Sequence, residues 1–224
     1  MYNYKLLNNH YVVEIDNKHY IIDTGYPVSI TFRSDLRMVK VNNRFYPLNP
    51  ANWAFNIKKT HELVGYPVDG LLGLDVFGET GLTFYKDNEN RGRVDFASHD
   101  IKGTTCPIVK LHQGFAPMIN VNGNKLYLVD TGARYGYGVK GMFNGLISFK
   151  EVEDYNPTLQ DMVSPIYHTS IKLNEKECPI DVCYNAQATS FFYNEPNFLM
   201  VGNITTLFDR ECCINYREMK IIFN

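Results

Sequence analysis

The chain alternates short apolar runs with polar punctuation. Runs of four to seven residues rich in Val, Ile, Tyr and Phe are bounded by Asn, Gly and Pro, the pattern of β-strands with tight turns. Clear examples are Tyr11–Ile15, Gly81–Tyr85, Arg93–Phe96, Pro117–Val121, Cys213–Tyr216 and Lys220–Phe223. Helical periodicity is weak, and it predicts only short helices at Leu74–Phe77, 142–152 and 203–210. The fold class expected is all-β with minor helix.

A repeat organises these strands. Asn17-Lys-His-Tyr-Ile-Ile-Asp23-Thr24-Gly25 matches Asn124-Lys-Leu-Tyr-Leu-Val-Asp130-Thr131-Gly132 at an offset of 107 residues, with six of nine positions identical. Each copy follows a strand and a turn, Asp16-Asn17 in the first and Asn122-Gly123-Asn124 in the second. A looser correspondence relates Val68-Asp-Gly-Leu-Leu-Gly73 to Phe198-Leu-Met-Val-Gly202. The interval from Asp130 to Gly202 is 72 residues, against 50 from Asp23 to Gly73. Two lobes are therefore expected, residues 1–98 and 105–224, joined by a linker of Ser, His, Asp, Lys, Gly and Thr.

An acid that follows an apolar strand and precedes Thr-Gly sits on a tight turn at a strand end. A twofold arrangement of the two copies would bring Asp23 and Asp130 together. Neighbouring carboxyls cannot both ionise cheaply, so one keeps a proton while the other stays charged. Such a pair can hold water between a base and an acid, the equipment for adding water to an unactivated carbonyl.

Ile-Ile-Asp23-Thr-Gly with Gly-Leu-Leu-Gly73-Leu-Asp-Val-Phe, followed by Leu-Val-Asp130-Thr-Gly-Ala with Leu-Met-Val-Gly202, resembles the aspartic peptidases. Two unlike lobes in one chain look pepsin-like, whereas the short lobes and the Asp-Thr-Gly-Ala sequence look closer to retropepsins. The resemblance covers about a third of the chain. It implies Asp23 and Asp130 as the catalytic pair. It also implies that Thr24 and Thr131 brace the lobes, that Gly25 and Gly132 complete the motifs, and that Gly73 and Gly202 pack beneath the Asp loops.

The resemblance further implies a peptide or protein substrate bound as an extended strand, with no metal and no cofactor. A flap hairpin is expected between the first Asp and Gly73, with Tyr46 or Trp53 as its aromatic. Both acids belong to one chain, so a monomer is expected. The sequence departs from the pepsin-like pattern directly after each Asp-Thr-Gly, where Tyr26 and Ala133 stand in place of Ser or Thr. Losing those hydroxyl donors should raise the carboxyl pKa values and move the working range toward neutral pH. Tyr26 is also bulky beside the pair and could narrow the cleft. The alternative reading is a weak or silent member that binds extended peptides or proteins.

Other features carry structural readings. Asp75 reads as a helix acid, and the run Glu151–Tyr155 as a solvated face. The six histidines lack ligand spacing and read as polar surface or hydrogen-bonded core. Cys178 and Cys183 with Cys212 and Cys213 could in principle form a four-cysteine zinc site, but two of those ligands would be adjacent, so buried thiols fit better for these and Cys106, and residues 178–183 look like a strand. The sequon Asn203-Ile-Thr falls in a core element and says little about export.

Composition narrows the function classes. The 224 residues are 45% apolar and 21% charged, ordinary for a globular chain. Lys and Arg number 22 against 24 acids, a net charge of −2, so nothing draws the chain to nucleic acid. No apolar run approaches the roughly 18 residues of a membrane helix. The first residues lack a signal-peptide core, and an odd cysteine count suits free thiols in a reducing compartment, so the expected location is the cytoplasm.

Overall fold

A computed structural model describes residues 1–52, 55–114, 116–121, 125–157, 159–173, 176–190 and 198–224. The chain is mostly β. Its first half contains β1 (Tyr2–Leu7), β2 (His10–Ile15), β3 (Lys18–Ile22), β4 (Ile30–Thr31), β5 (Met38–Val41), β6 (Arg44–Pro47) and β7 (Asn49–Pro50). Helix α1 (Ile57–Val64), β8 (Gly70–Leu72), α2 (Leu74–Phe77), β9 (Leu82–Asn88) and β10 (Arg91–Asp95) complete it. The second half contains β11 (Thr104–His112), β12 (Ala116–Val121), β13 (Lys125–Val129), β14 (Gly136–Gly138), β15 (Lys150–Asn156) and β16 (Gln160–Leu173). It continues with β17 (Lys176–Cys183), α3 (Ala186–Ser190), β18 (Phe198–Val201), β19 (Glu211–Asn215) and β20 (Lys220–Phe223).

The repeat is structural. In the first half β2 pairs antiparallel with β3, β3 parallel with β8, and β8 antiparallel with β4. In the second half β12, β13, β18 and β14 pair in the same order and sense. Turn chemistry sets the first hairpins. Asn8-Asn9, Asp16-Asn17 and Asn42-Asn43 all take positive φ at both positions, the two-residue turn that matches strand twist and that Asn and Asp tolerate. The corresponding turn at 122–124 lies outside the described residues.

The halves share one sheet. Antiparallel pairing runs β1–β10–β9–β19–β20–β11, with Phe84 opposite Cys212 where the halves meet. On this sheet Tyr4, Tyr11 and Phe84 pack with ring centroids 5.1–5.9 Å apart. Burying such rings is the main apolar gain available here. Tyr11 also spans the halves, donating to Asn203 Oδ1 at 3.2 Å and accepting from Thr205 N–H at 3.0 Å. Lys86 donates to the Thr205 carbonyl at 2.9 Å. The sequon residues Ile204 and Thr205 are buried.

Three local expectations need correction. The predicted helix at 142–152 is a short 3-10 turn, Lys140–Phe143, followed by β15, because Val152 and Asp154 point inward in strand alternation. The helix at 203–210 shortens to a 3-10 turn, Ile204–Thr206, capped by the Asn203 side chain. Helix α1 was not expected, yet Asn56 caps its start and Gly65, at φ 74°, ends it. The helix at Leu74–Phe77 and the strand through 178–183 are where the sequence placed them.

Candidate active site

The ends of β3 and β13 deliver the two Asp-Thr-Gly turns to one place. Thr24 and Thr131 are fully buried between them. Thr24 N–H donates to Thr131 Oγ1 at 3.1 Å, and Thr131 N–H donates to Thr24 Oγ1 at 3.0 Å. Each hydroxyl then donates across to the other half, Thr24 to the Val129 carbonyl at 2.9 Å and Thr131 to the Ile22 carbonyl at 2.8 Å. Four reciprocal bonds in a dry setting fix the turns to one another, and a buried network of this kind is rigid when fully satisfied.

That brace sets the carboxyls. Asp23 Oδ1 accepts from Gly25 N–H at 2.8 Å, and Asp130 Oδ1 from Gly132 N–H at 3.1 Å. Each carboxyl lies over the glycine of the opposite turn. A Cβ on Gly25 would fall 2.4 Å from the Asp130 carboxyl carbon, and one on Gly132 would fall 2.2 Å from that of Asp23. Only glycine allows this approach. Gly73 lies against the Tyr26 carbonyl, and Gly202 against that of Ala133, where a Cβ would fall 2.8 and 2.2 Å away.

Electrostatics divide the pair. Burial, then the charge of Asp130, pushes Asp23 well above the ordinary carboxyl range. Burial also raises Asp130, but hydrogen bonds from Gly132, Asp23 and Ala133 favour its charged form. Both carboxyls are therefore raised, and the two titrate as a coupled pair rather than as independent acids. Neither Tyr26 nor Ala133 supplies a side-chain donor to these carboxyls, and the upward shifts come from burial and, for Asp23, the neighbouring charge.

Asp75 is a structural acid. It accepts from Ser29 N–H at 2.9 Å and from Ser29 Oγ at 2.7 Å, and Ser29 Oγ in turn accepts from Gly73 N–H. This chain holds α2 beneath the first turn.

The pair opens into a cleft of about 370 Å³. Ile21, Phe32, Phe55 and Leu71 line it from the first half, and Leu128, Tyr137, Met162 and Met200 from the second. Tyr26 forms part of the wall, its ring edge-on to Phe55 at 5.7 Å. Ala133 lines the cleft as well.

One flap expectation changes. Tyr46 is not a cleft residue. It sits on the β5–β6 hairpin opposite Val39 and packs on the main core, while the hairpin tip at Asn42 is held by the Tyr2 hydroxyl. Trp53 lies outside the described residues. The sequence also missed Phe55, His10, and the β15–β16 hairpin, whose Tyr155, Pro157 and Leu159 line the cleft. The longer second interval was the available signal for that hairpin. His10 is buried at the cleft, where desolvation pushes its pKa down to about 4.

The acidic run at 151–155 is only partly solvated. Asp154 is 6% exposed, accepting from Tyr137 Oη at 2.7 Å and from Tyr155 N–H at 2.8 Å. Its burial raises its pKa.

All five cysteines are free and buried, and no group of three or more potential metal ligands forms among the described residues. Among those residues no helix is long and apolar enough to cross a membrane. No family model matches the chain, and no curated protein sequence matches it significantly.

Proposed function

We propose that the chain is an aspartic endopeptidase of the pepsin and retropepsin kind, with lobes at residues 1–98 and 105–224 and the Asp23/Asp130 pair between them. The observation that carries the reading is the reciprocal geometry of the pair. Two carboxyls, each seated on the other turn's glycine, face a cleft of a size suited to ligands.

The chemistry needs one proton on the pair, which we place on Asp23 at the start. Charged Asp130 takes a proton from water as its oxygen bonds to the peptide carbonyl carbon. Asp23 gives its proton to the carbonyl oxygen, leaving a neutral gem-diol. Asp130 then returns its proton to the amide nitrogen, Asp23 recovers one from a diol hydroxyl, and the C–N bond breaks. The pair ends as it began, and no covalent intermediate with the protein is formed.

Substrate would lie as an extended strand, its side chains alternating into the apolar walls around Ile21 and Leu71 and around Leu128 and Met200. One chain carries both acids, so a monomer suffices.

A peptide whose scissile amide is replaced by a hydroxyl-bearing tetrahedral centre tests the reading by titration calorimetry. It should bind wild type at least about a hundredfold tighter than the parent peptide, as a transition-state analogue does. That advantage should vanish in Asp23→Asn. Equal affinity for both ligands in wild type would instead support a peptide binder without catalysis.

A further inference from the structure

The cleft wall carries a buried acid that the proposed chemistry leaves unused. Asp154, on β15, lines the cleft with Asp130 yet is only 6% exposed. It stands close enough to the pair for its charge to raise Asp130. Strand alternation places it there, since Val152 and Asp154 turn inward while Glu151 and Glu153 stay exposed. The surroundings are apolar, with Val152, Met162 and Ala188 clustered on Tyr137.

Both hydrogen bonds to Asp154 come from donors. Tyr137 Oη donates to Oδ2 at 2.7 Å, and Tyr155 N–H donates to Oδ1 at 2.8 Å. Both favour the carboxylate form. They fill only half of the about four acceptor positions that a carboxylate offers. Among the described residues no Lys, Arg or His forms an ion pair with it. Arg134, whose charge reaches Asp154, is engaged elsewhere: its Cζ lies 5.1 Å from the Tyr135 ring centroid, and its Nη1 is 3.5 Å from the Glu153 carbonyl. A buried charge without a partner ion is costly, and a cation that joins it offsets the cost. Holding the Tyr137 hydroxyl needs only a neutral acceptor, so packing leaves the charge itself unexplained.

We propose that Asp154 is the floor of a subsite in the cleft that takes a cationic substrate side chain, lysine or arginine. The stem of that side chain lies along the apolar wall at Met162 and Met200, and its charge meets the carboxylate. The inference rests on the proposed function and deepens it by naming the substrate class, peptides with a basic residue near the cleaved bond.

Titration calorimetry at about pH 7 tests the subsite with uncleavable hexapeptides whose scissile amide is replaced by a hydroxyl-bearing tetrahedral centre. Lysine or its uncharged counterpart norleucine is placed at each position in turn. At one position lysine should bind wild type at least about tenfold tighter than norleucine, the low end for a close charge pair. Asp154→Asn should erase that gap and leave the norleucine peptides unaffected. Asp154→Glu keeps the charge and lengthens the arm by one methylene. In a series of lysine, ornithine and 2,4-diaminobutyrate its preferred amine should therefore be one methylene shorter than that of wild type, a shift that a purely structural acid would not produce. No lysine advantage at any position in wild type, or one that survives in folded Asp154→Asn, overturns the inference. If Asp154→Asn does not fold, the length preference of Asp154→Glu decides. Cleavage is scored separately on unmodified peptides. A wild type that cleaves nothing but keeps the Asp154-dependent lysine advantage loses the peptidase reading and keeps the subsite. One that cleaves without a lysine advantage loses the subsite alone, and binding to none of the peptides removes both.

Discussion

The brace between the two turns makes a quantitative prediction about stability. Replacing Thr24 by Val keeps its volume and removes the hydroxyl. Two buried groups then lose their partners, the Thr131 N–H and the Val129 carbonyl. A buried polar group left unpaired costs about 1–3 kcal/mol, so the variant should lose about 2–6 kcal/mol, a large part of a typical total of roughly 5–15 kcal/mol. Thr24→Ser is the control, since it keeps the oxygen and loses one buried methyl, worth about 1 kcal/mol. Thr131→Val should behave like Thr24→Val, because it strands the Thr24 N–H and the Ile22 carbonyl. Urea unfolding followed by circular dichroism, fitted with a common slope, measures all three. A Thr24→Val variant within about 0.5 kcal/mol of wild type, or one less damaging than Thr24→Ser, would refute the view that these hydroxyls join the halves.

Two further predictions concern titration and thiols. Asp23 holds its proton in the folded protein above the ordinary carboxyl pKa of 3.8, while the unfolded chain releases it there, so its contribution to stability is full below about pH 3.8 and fades as pH rises through the folded pKa. Asp23→Asn, which never ionises, should therefore gain stability relative to wild type as pH rises from about 4 toward neutral, and a flat or reversed difference in chemical denaturation would contradict the assignment. Burial raises the thiol pKa of Cys106 to about 11 and that of Cys183 to about 12, and all five cysteines are buried, so an alkylating reagent at neutral pH should label none in the native protein and five after unfolding.

The sequence carried the symmetric part of this molecule well. The offset between the two Asp-Thr-Gly copies is the separation of Thr24 and Thr131, whose hydroxyls meet in the brace, and the strands around each copy follow from alternation and Asn turns. Less was legible where local pattern and tertiary setting compete. Residues 150–156 are rich in acids, but only strand alternation reveals that Asp154 faces inward toward Tyr137. Helix α1 had its Asn56 and Gly65 caps in plain view, yet it lay next to an interval read as a flap. The flap reading failed at Tyr46 because an aromatic in a hairpin carries no label for which face of the molecule will receive it. Contacts across the cleft, such as Lys59 with Glu153 and Asp161, join residues about a hundred positions apart and have no local signature.

Cleavage of a diverse peptide mixture by purified protein between about pH 3.5 and 7.5, alongside Asp23→Asn and Asp130→Asn, tests the central claim most directly. The account predicts product from wild type, none from either variant, and an optimum shifted upward from the ordinary carboxyl range. Product that persists in a folded Asp130→Asn variant, or no product from folded wild type at any pH, would contradict it.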